Sequence, residues 1–323
     1  MNGLELAVGG ETVRLSNPGK VVYPETGTTK NDVALYYLHV APVLVPWAGN
    51  RPATRKRWVD GVGTLATPGK SFFQRNLDAA TPDWVSRHKM HHKDHDIIYP
   101  LINDARTLVW LAQVMALEIH VPQWQFARNG APGCPDRMVL DLDPGEGAGL
   151  AECAGVALLA RDVLVRHGLE AVPVTSGSKG IHLYAGLDGK RTSTQTAALA
   201  HEVALALEHD HPDRVVSRMG KDLRRGKVFI DWSQNWQAKT TIVPYSLRGR
   251  AIPTVAAPRT WEEVAAGGLT QLDYRQVMAR IDAMLVPPTR RYGAPPLPMR
   301  RTAAPLTRSS ARSARASSAA ENG

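Results

Sequence analysis

The chain has 323 residues, of which 43% are hydrophobic and 21% charged, the composition of a globular protein with a sizeable core. It has two cysteines, no window of 18 uninterrupted apolar residues and no apolar secretory segment at its start, so we expect a cytoplasmic protein without a disulfide framework or a membrane span. The formal net charge of +9 suggests a polyanionic partner.

Strand and helix patterns follow one another from residue 139 onwards. Strands are predicted at VLDLD (139–143), AVPVT (171–175), IHLYAGL (181–187) and KVFID (227–231). Helices are predicted around the apolar stripe Cys153, Val156, Ala160 and Val163, from about 193 to 209, after the capping box Thr260–Glu263, and around Tyr274, Val277, Ile281 and Met284. This order predicts an α+β fold with a sheet at its centre, and not a regular βαβ series.

The C-terminal segment, residues 287–323, is rich in Pro, Ala, Ser and Arg and has almost no large apolar residues. Such a segment cannot bury enough surface to offset the entropy of ordering, so it is predicted to be disordered. It is either an arm that adds non-specific phosphate affinity or a solvated linker. Residues 1–286 are then predicted to form a single catalytic domain.

Two acidic residues lie at the end of the first predicted strand. Asp141 and Asp143 are two residues apart, so their carboxylates project from one face while Leu140 and Leu142 point the other way. A divalent cation with oxygen ligands would relieve their repulsion, but a bare pair of this kind is more often solvated before a turn. Asp231 ends another strand, and three such carboxylates are what a two-metal phosphoryl-transfer site requires.

A glycine-rich turn, SGSKG (176–180), joins two predicted strands. Gly177 and Gly180 permit close backbone approach to a phosphate, Ser176 and Ser178 offer hydroxyl donors, and Lys179 offers a point charge. His182 alternates with apolar neighbours and is expected to face whatever the turn binds. The turn alone is weak evidence, because the spacing of a Walker A motif is absent and a strand follows in place of a helix.

Together and in this order, the Asp pair, SGSKGIH and Asp231 resemble the catalytic motifs of the archaeo-eukaryotic primase superfamily. The similarity is sharpest to the polymerase domain of bacterial ligase D, the end-joining enzyme, and to its stand-alone relatives. It is carried by LSNPGKVVYPETGTTKNDVALYY, RPATRKRWVDG, SFFQRN, LDLDPGEG, TSGSKGIHLY, VFIDWSQN and YSLRGRAIPTVAAPRTWEEV, over roughly residues 15 to 265. The resemblance implies a primase-polymerase core, a mainly antiparallel central sheet flanked by helices.

The resemblance also implies roles for particular residues. Asp141, Asp143 and Asp231 match the catalytic carboxylates that bind two metal ions, Mn²⁺ by preference or Mg²⁺. The residues implied to contact the incoming nucleotide are Ser176, Ser178, Lys179, His182 and Arg248. Those implied to bind a downstream 5′-phosphate are Asn17, Lys20 and Lys30. Template and primer contacts are assigned to Phe72, Phe73, Lys56, Arg57, Lys221, Arg224 and Arg225.

Several of these residues have simpler interpretations. Phe72 and Phe73 are adjacent, so on a strand at least one is expected to be buried, and the lysines could be solvated surface charges. The histidines His88, His91, His92 and His95 resemble a metal cluster, but the interleaved charges favour a solvated or DNA-contacting loop. His120, in a strand-like segment, is either a nucleotide contact or a buried histidine with a partner. Trp58-Val59 replaces the usual tyrosine-proline pair of the family and is expected to alter a nearby loop.

The sequence therefore predicts a bacterial, nucleoid-associated nucleotidyltransferase, a DNA primase-polymerase that adds nucleotides, ribonucleotides by preference, to a primer 3′-OH. Its expected substrates are NTP or dNTP and gapped or broken DNA with a 5′-phosphate, in non-homologous end joining or excision repair. With no room for a phosphoesterase or ligase domain, it is expected to need a separate DNA ligase or a Ku-like protein. The alternatives are a catalytically weak gap-binding or end-binding module and a two-metal nuclease.

Overall fold

A computed structural model describes residues 3–285 of the chain. The predicted tail, 287–323, and the side chain of Met284 lie outside what is described. The helices are α1 Lys30–Ala48, α2 Ala105–Gln113, α3 Leu150–Arg166, α4 Ser193–Asp210, α5 Trp261–Ala265 and α6 Tyr274–Leu285, with 3-10 turns at Lys221–Arg224 and Trp232–Asn235. The strands are β1 Gly3–Val8, β2 Glu11–Ser16, β3 Val21–Tyr23, β4 Thr28–Thr29, β5 Thr54–Arg57, β6 Phe72–Gln74, β7 Arg87–His92, β8 His95–Pro100, β9 Ala116–Val121, β10 Trp124–Phe126, β11 Pro132–Pro135, β12 Arg137–Pro144, β13 Ala171–Thr175, β14 Ile181–Gly186, β15 Val215–Val216, β16 Val228–Asp231, β17 Thr241–Ile242 and β18 Ala257–Pro258.

The larger sheet has six strands in the order β15-β16-β12-β14-β13-β18. All neighbours are antiparallel except β15 and β16. One face is apolar, because Leu140 and Leu142 of β12 join Ile181 and Leu183 of β14 in a core cluster with α3 and α4. The α+β class and the mainly antiparallel central sheet are confirmed.

The smaller sheet has four antiparallel strands in the order β17-β9-β5-β6. Leu117 and Ile119 of β9 pack with α1 and α2 in a second core cluster. The two sheets meet where the Tyr184 hydroxyl of β14 donates to the Ile242 carbonyl of β17 at 2.7 Å. We call the space between the two sheet faces that are turned away from the helices the cleft.

Local signals in the sequence set most helix boundaries. The Thr260 side chain accepts from the Glu263 N–H while Glu263 accepts from the Thr260 N–H, as the capping box predicts. Thr29 and Asp32 form the same motif at the start of α1, immediately before the buried part of that helix. No helix within residues 3–285 is both long enough and apolar enough to cross a membrane.

Candidate active site

Three neighbouring strands bring acidic and histidine side chains into one row on the cleft face of the larger sheet. Asp141 of β12 pairs in register with Asp231 of β16 on one side and with His182 of β14 on the other. Residues directly opposite each other in an antiparallel pair have Cβ atoms about 4.5–5.5 Å apart. Asp143 follows two residues after Asp141 and projects from the same face. The three predicted carboxylates are therefore brought together, with His182 beside them.

The charges in this row are unbalanced. Partial withdrawal from water and then the neighbouring Asp141 raise the pKa of Asp143 to about 6, and Asp231 adds to the effect while His182 and Arg224 oppose it. Asp143 is exposed at the surface of the sheet, so we attribute more weight to the two nearby carboxylates than to burial. The site accumulates negative charge that a divalent cation would offset.

His182 is buried and contacts Asp141 directly. Its Nε2 lies 3.1 Å from Asp141 Oδ1, and its Nδ1 lies 3.3 Å from the Tyr184 hydroxyl. The ring faces the cleft, as expected for a residue that faces the ligand of the SGSKG turn.

Asp231 is held by the residues that follow it. Its Oδ1 accepts from the Ser233 backbone N–H at 3.0 Å and hydroxyl at 2.6 Å, and its Oδ2 accepts from Gln234 Nε2 at 2.8 Å. Across residues 3–285, no group of three or more His, Cys, Asp or Glu side chains is placed so that it could hold a metal ion. The donors nevertheless fit in kind, since carboxylate oxygens are the ligands that Mg²⁺ and Mn²⁺ prefer. The assignment of two metal ions stays a prediction.

The SGSKG turn is clamped from several sides. The Ser176 hydroxyl accepts from the N–H groups of Ser178 and Gly180, both at 3.2 Å, and Gln271 bonds the Gly177 N–H at 2.7 Å. A Cβ on Gly180 would lie 2.0 Å from the Leu142 carbonyl oxygen. The close approach that this glycine permits is thus to the protein's own strand β12, which fixes the turn beside the aspartates.

The other turn residues point outward. Lys179 is exposed, and the Ser178 hydroxyl accepts from Arg250 at 2.6 Å. Gly177 has a φ of +68°, and a Cβ there would meet the Arg248 side chain at 2.6 Å. Arg248 therefore packs over the turn, next to the predicted nucleotide contacts.

Arg248 also forms an ion pair with Glu118, whose Oε1 lies 3.6 Å from the arginine Nε. His120 Nε2 lies 2.9 Å from the other oxygen of Glu118. Burial lowers the pKa of His120, while Glu118 opposes that shift. His120 is thus a buried histidine with a partner, as one of its two interpretations predicted, while its contact with the nucleotide stays a prediction.

The predicted 5′-phosphate residues form a compact group near β3 and the start of α1. Asn17 has a φ of +49°, and its carbonyl accepts from the Lys20 N–H. Lys20 Nζ donates to the Val59 carbonyl at 2.7 Å, and Lys30 Nζ donates to the Ser16 carbonyl at 2.9 Å. Burial and then the charge of Lys20 lower the pKa of Lys30 to about 8.

Lys30 is only 5% exposed, so the interpretation of both lysines as solvated surface charges is wrong for this one. Within residues 3–285 neither lysine has an acidic partner within ion-pair distance. Two adjacent unneutralised cations, one of them buried, make a favourable place for an anion.

Phe72 and Phe73 are 47% and 60% exposed, so the expectation that at least one is buried is wrong. The reason is their position on β6, a three-residue strand at the edge of the smaller sheet. Each ring has a cation against it, with the Arg57 guanidinium 5.5 Å from Phe72 and Lys56 Nζ 5.3 Å from Phe73. Phe73 and Lys56 lie on the sheet face that carries Glu118 and His120, whereas Phe72 and Arg57 lie on the opposite face, so β6 presents an aromatic and basic pair on each face.

Lys221 and Arg224 lie on a 3-10 turn that ends at Arg225, shortly before the strand of Asp231. The Arg224 guanidinium stacks 3.7 Å from the Phe229 ring centroid, and Phe229 pairs in register with Asp143. Arg224 also donates to the Met219 carbonyl at 2.7 Å. The charge of Arg224 acts on Asp143, where it opposes the rise in the pKa of that carboxyl.

The histidine-rich segment forms a β-hairpin, β7 and β8, and not the loop that was expected. Its charges pair locally, with Lys89 and His91 on Asp96 and His95 on Asp94. Strand pairing was missed because the β7 residues alternate between exposed and half-buried with Met90 as the only aliphatic side chain, although β8 buries Ile97 and Tyr99. Within the described residues these histidines form no metal cluster.

The sequence reasoning missed residues that hold the site together. Asn235 is buried, and its side chain accepts from the Val139 N–H at 2.8 Å and donates to the Val139 carbonyl at 2.7 Å. It thereby replaces a missing strand neighbour of β12 and ties the segment after Asp231 to the strand of Asp141. Its place in the VFIDWSQN block was a signal, whereas Gln271 and Glu118 carried none.

Comparison with known proteins gives concordant results. Residues 29–287 match the family model described as LigD, primase-polymerase domain. The chain is 51% identical over 276 residues to the multifunctional non-homologous end joining DNA repair protein LigD of Mycobacterium tuberculosis, covering 84% of this chain and 36% of that protein. The multifunctional non-homologous end joining protein LigD of Mycolicibacterium smegmatis is 49% identical over 272 residues, covering 84% and 35%.

The solved structure of the polymerase domain from Mycobacterium tuberculosis ligase D in complex with DNA matches with a TM-score of 0.80 and 50% identity. It covers 84% of this chain and 94% of that one. The chain spans about a third of the length of the curated relatives it matches.

Proposed function

The chain belongs to the LigD primase-polymerase domain family, whose members are nucleotidyltransferases, and we propose from this premise that it is a template-dependent polymerase that extends a primer 3′-OH. The observation that carries the proposal is the row of Asp231, Asp141 and His182 with Asp143 beside it. The clamped SGSKG turn and Arg248 border this row, as a site for a nucleoside triphosphate requires.

Members of the family are generally metal-dependent. We propose that Asp141, Asp143 and Asp231 hold two divalent ions, Mn²⁺ or Mg²⁺, which when bound would supply charge stabilisation for the phosphates and a lowered pKa for the attacking hydroxyl. The carboxylates attract such ions because their mutual repulsion is unbalanced. The backbone and side-chain donors from Ser233 and Gln234 hold Asp231 in the row until an ion binds.

Ser176, Ser178, Lys179, His182 and Arg248 are proposed to bind the sugar and triphosphate. The Ser176 hydroxyl already accepts two backbone N–H bonds, so its own proton is free to donate to a sugar hydroxyl. This supports a preference for ribonucleotides. The exposed ammonium of Lys179 is available to the phosphates.

The DNA is proposed to lie along the cleft and across the edge strand β6. Asn17, Lys20 and Lys30 would bind the 5′-phosphate of the downstream strand, and the rings of Phe72 and Phe73 would stack on the template without regard to sequence. Backbone phosphates are assigned to Lys56, Arg57, Lys221, Arg224 and Arg225. The relative solved in complex with DNA supports a DNA substrate.

We propose that residues 1–286 are the catalytic unit and that 287–323 add non-specific phosphate affinity. The cellular role would be filling short gaps or break ends, in end joining or excision repair, with a DNA ligase or a Ku-like protein acting separately on the nucleoid.

The test is primer extension across a short 5′-phosphorylated gap, with Mn²⁺ or Mg²⁺ and with NTPs or dNTPs supplied separately. Wild type is expected to extend the primer, with more extension from NTPs, and Asp143→Ala is expected to abolish extension while gap binding persists. Gap binding without extension by wild type would instead indicate a binding module, and shortening of the DNA without nucleotides would indicate a nuclease.

A further inference from the structure

A buried carboxylate, Glu118, lies in the cleft among the side chains of basic residues from three parts of the chain. It is 2% exposed and belongs to β9, where His120 lies two residues further along the same face. Lys56 of β5 pairs with Glu118 in register, and Arg248 reaches it from the segment after β17. The opposite face of β9 carries Leu117 and Ile119 of the core, so Glu118 is turned towards the site.

Both oxygens of Glu118 are engaged. Oε2 accepts from His120 Nε2 at 2.9 Å, and Oε1 accepts from the Gly249 backbone N–H at 3.1 Å and lies 3.6 Å from Arg248 Nε. Burial raises the pKa of Glu118, but the His120 hydrogen bond and the charges of Arg248 and Lys56 outweigh it and lower the pKa to about 2. Glu118 is therefore ionised wherever the protein is folded near neutral pH.

The Arg248 side chain has no other polar partner in the described part of the chain. Its Nε is buried without a hydrogen bond, and its guanidinium forms an ion pair with Glu118 only. Its aliphatic part packs over Gly177 of the turn. The direction of the guanidinium thus depends on Glu118, while its terminal amino groups are left for a ligand.

The same carboxylate fixes the His120 ring. A ring nitrogen that faces an ionised carboxylate carries a proton, so Nε2 is the protonated nitrogen and the neutral ring presents Nδ1 as an acceptor. The edge of the ring lies against Phe73, with centroids 5.5 Å apart. One buried residue therefore determines how two side chains of the cleft meet a ligand.

We propose that Glu118 is a positioning residue for the incoming nucleotide: it directs the Arg248 guanidinium at the triphosphate and holds His120 in one orientation and one tautomer. This inference rests on the proposed function of the same site. Glu118 itself touches neither the nucleotide nor the aspartates.

The discriminating variant is Glu118→Gln, which keeps the size of the side chain and an oxygen for the Gly249 N–H but removes the charge. The expected result is a rise of about tenfold in the KM for the nucleotide, the usual scale of one charge-assisted contact, with kcat changed less than threefold. Binding of gapped DNA and the thermal midpoint should stay close to those of wild type. Glu263→Gln is the matched control, because Glu263 of α5 is also an ion-paired glutamate, 2.7 Å from Arg280 of α6, and lies away from the cleft. This variant should leave the KM for the nucleotide unchanged.

A second comparison tests whether Glu118 acts through Arg248. In the Arg248→Gln background, Glu118→Gln should add less than a twofold change in KM, because residues that act as one unit give non-additive losses. A fully additive loss would contradict the proposal. So would an unchanged or lower KM in Glu118→Gln alone, which would mean that Glu118 only offsets repulsion between cations.

Should Glu118→Gln fail to fold, Glu118→Asp retains the charge and is expected to raise the KM as well, because the shorter side chain withdraws from Arg248; an unchanged KM there would contradict the proposal. Calorimetry measures the binding of inorganic triphosphate directly, so it tests the inference even if wild type extends no primer. Glu118→Gln is expected to bind triphosphate more weakly than wild type. Equal binding of triphosphate by the two proteins would overturn it.

Discussion

Asp141 and Asp231 lie directly opposite each other on β12 and β16, although they are 90 residues apart in the sequence. Their pairing places two like charges where an antiparallel sheet brings side chains closest, which costs stability unless a cation lies between or beside them. Asp143 shares the face and is the member of the group whose pKa is raised, to about 6. Because these carboxylates repel one another, a substitution that removes one of the charges should raise the stability of the protein and lower its activity.

Replacing Asp143 by Asn should therefore abolish primer extension and at the same time stabilise the metal-free protein. The raised pKa means that ionised Asp143 opposes folding above about pH 6, and that this cost disappears as pH falls below the unfolded-state pKa near 4. Because Asp143 is exposed, we expect a gain in the thermal midpoint of only about 1–3 °C at pH 7.5 with EDTA present. Equal midpoints for Asp143→Asn and wild type at pH 7.5 would contradict this account, and the two should converge at pH 4.

The preference for a 5′-phosphorylated gap should weaken as pH rises through 8. Lys30 has its pKa lowered to about 8, so its positive charge is present below that pH and lost above it. A bound phosphate would raise that pKa again, and binding should be accompanied by proton uptake near pH 8. The ratio of affinities for 5′-phosphate and 5′-hydroxyl gaps is expected to fall severalfold between pH 7 and pH 9.

Lys30→Met should remove this pH dependence together with most of the preference. Lys190→Met, which changes a highly exposed lysine paired with Asp188, is the control and should leave both intact. A preference that persisted in Lys30→Met would place the phosphate elsewhere.

Phe73→Ala should weaken binding of a templating strand by about 1–3 kcal/mol, the usual value of one base stacked on an aromatic ring, without destabilising the fold. The reason for the second expectation is that Phe73 is 60% exposed at a sheet edge. Fluorescence anisotropy on gapped DNA measures the affinity, and urea unfolding measures the stability. Val165→Ala, at an exposed position of α3, is the control for loss of an exposed apolar side chain, and a matching loss of affinity there would refute a specific role for Phe73.

Asn235→Ala should lower both stability and activity. The substitution leaves the N–H and the carbonyl of Val139 without their buried partner, which costs about 1–3 kcal/mol for an unsatisfied group. It also frees the segment that carries Asp231 from β12. The rate of primer extension should therefore fall more than the loss of folded protein accounts for. Ser233→Ala removes only contacts to Asp231 itself and should affect activity with little change in the free energy of unfolding. If Asn235→Ala retained full activity, the tie to β12 would be irrelevant to the site.

Much of the site could be predicted from the sequence because it depends on local rules. Alternation along VLDLD put Asp141 and Asp143 on one face, and the end of KVFID marked Asp231, since period-two patterns survive in any sheet. The capping box at Thr260 and Glu263 is equally local. Motif order then linked these features to a known family of polymerases.

The sequence by itself therefore determined the catalytic carboxylate candidates, the turn that joins two strands, the α+β class and the family resemblance. Only the tertiary structure decided which residues leave the core and which enter it. Phe72 and Phe73 are exposed because their strand lies at a sheet edge, and Lys30 is buried because the start of α1 packs against the segment of Ser16. Glu118 stands among basic residues that come from β5, β9 and the segment after β17. Burial and charge pairing depend on contacts between distant segments, and a linear pattern of residues carries no record of them.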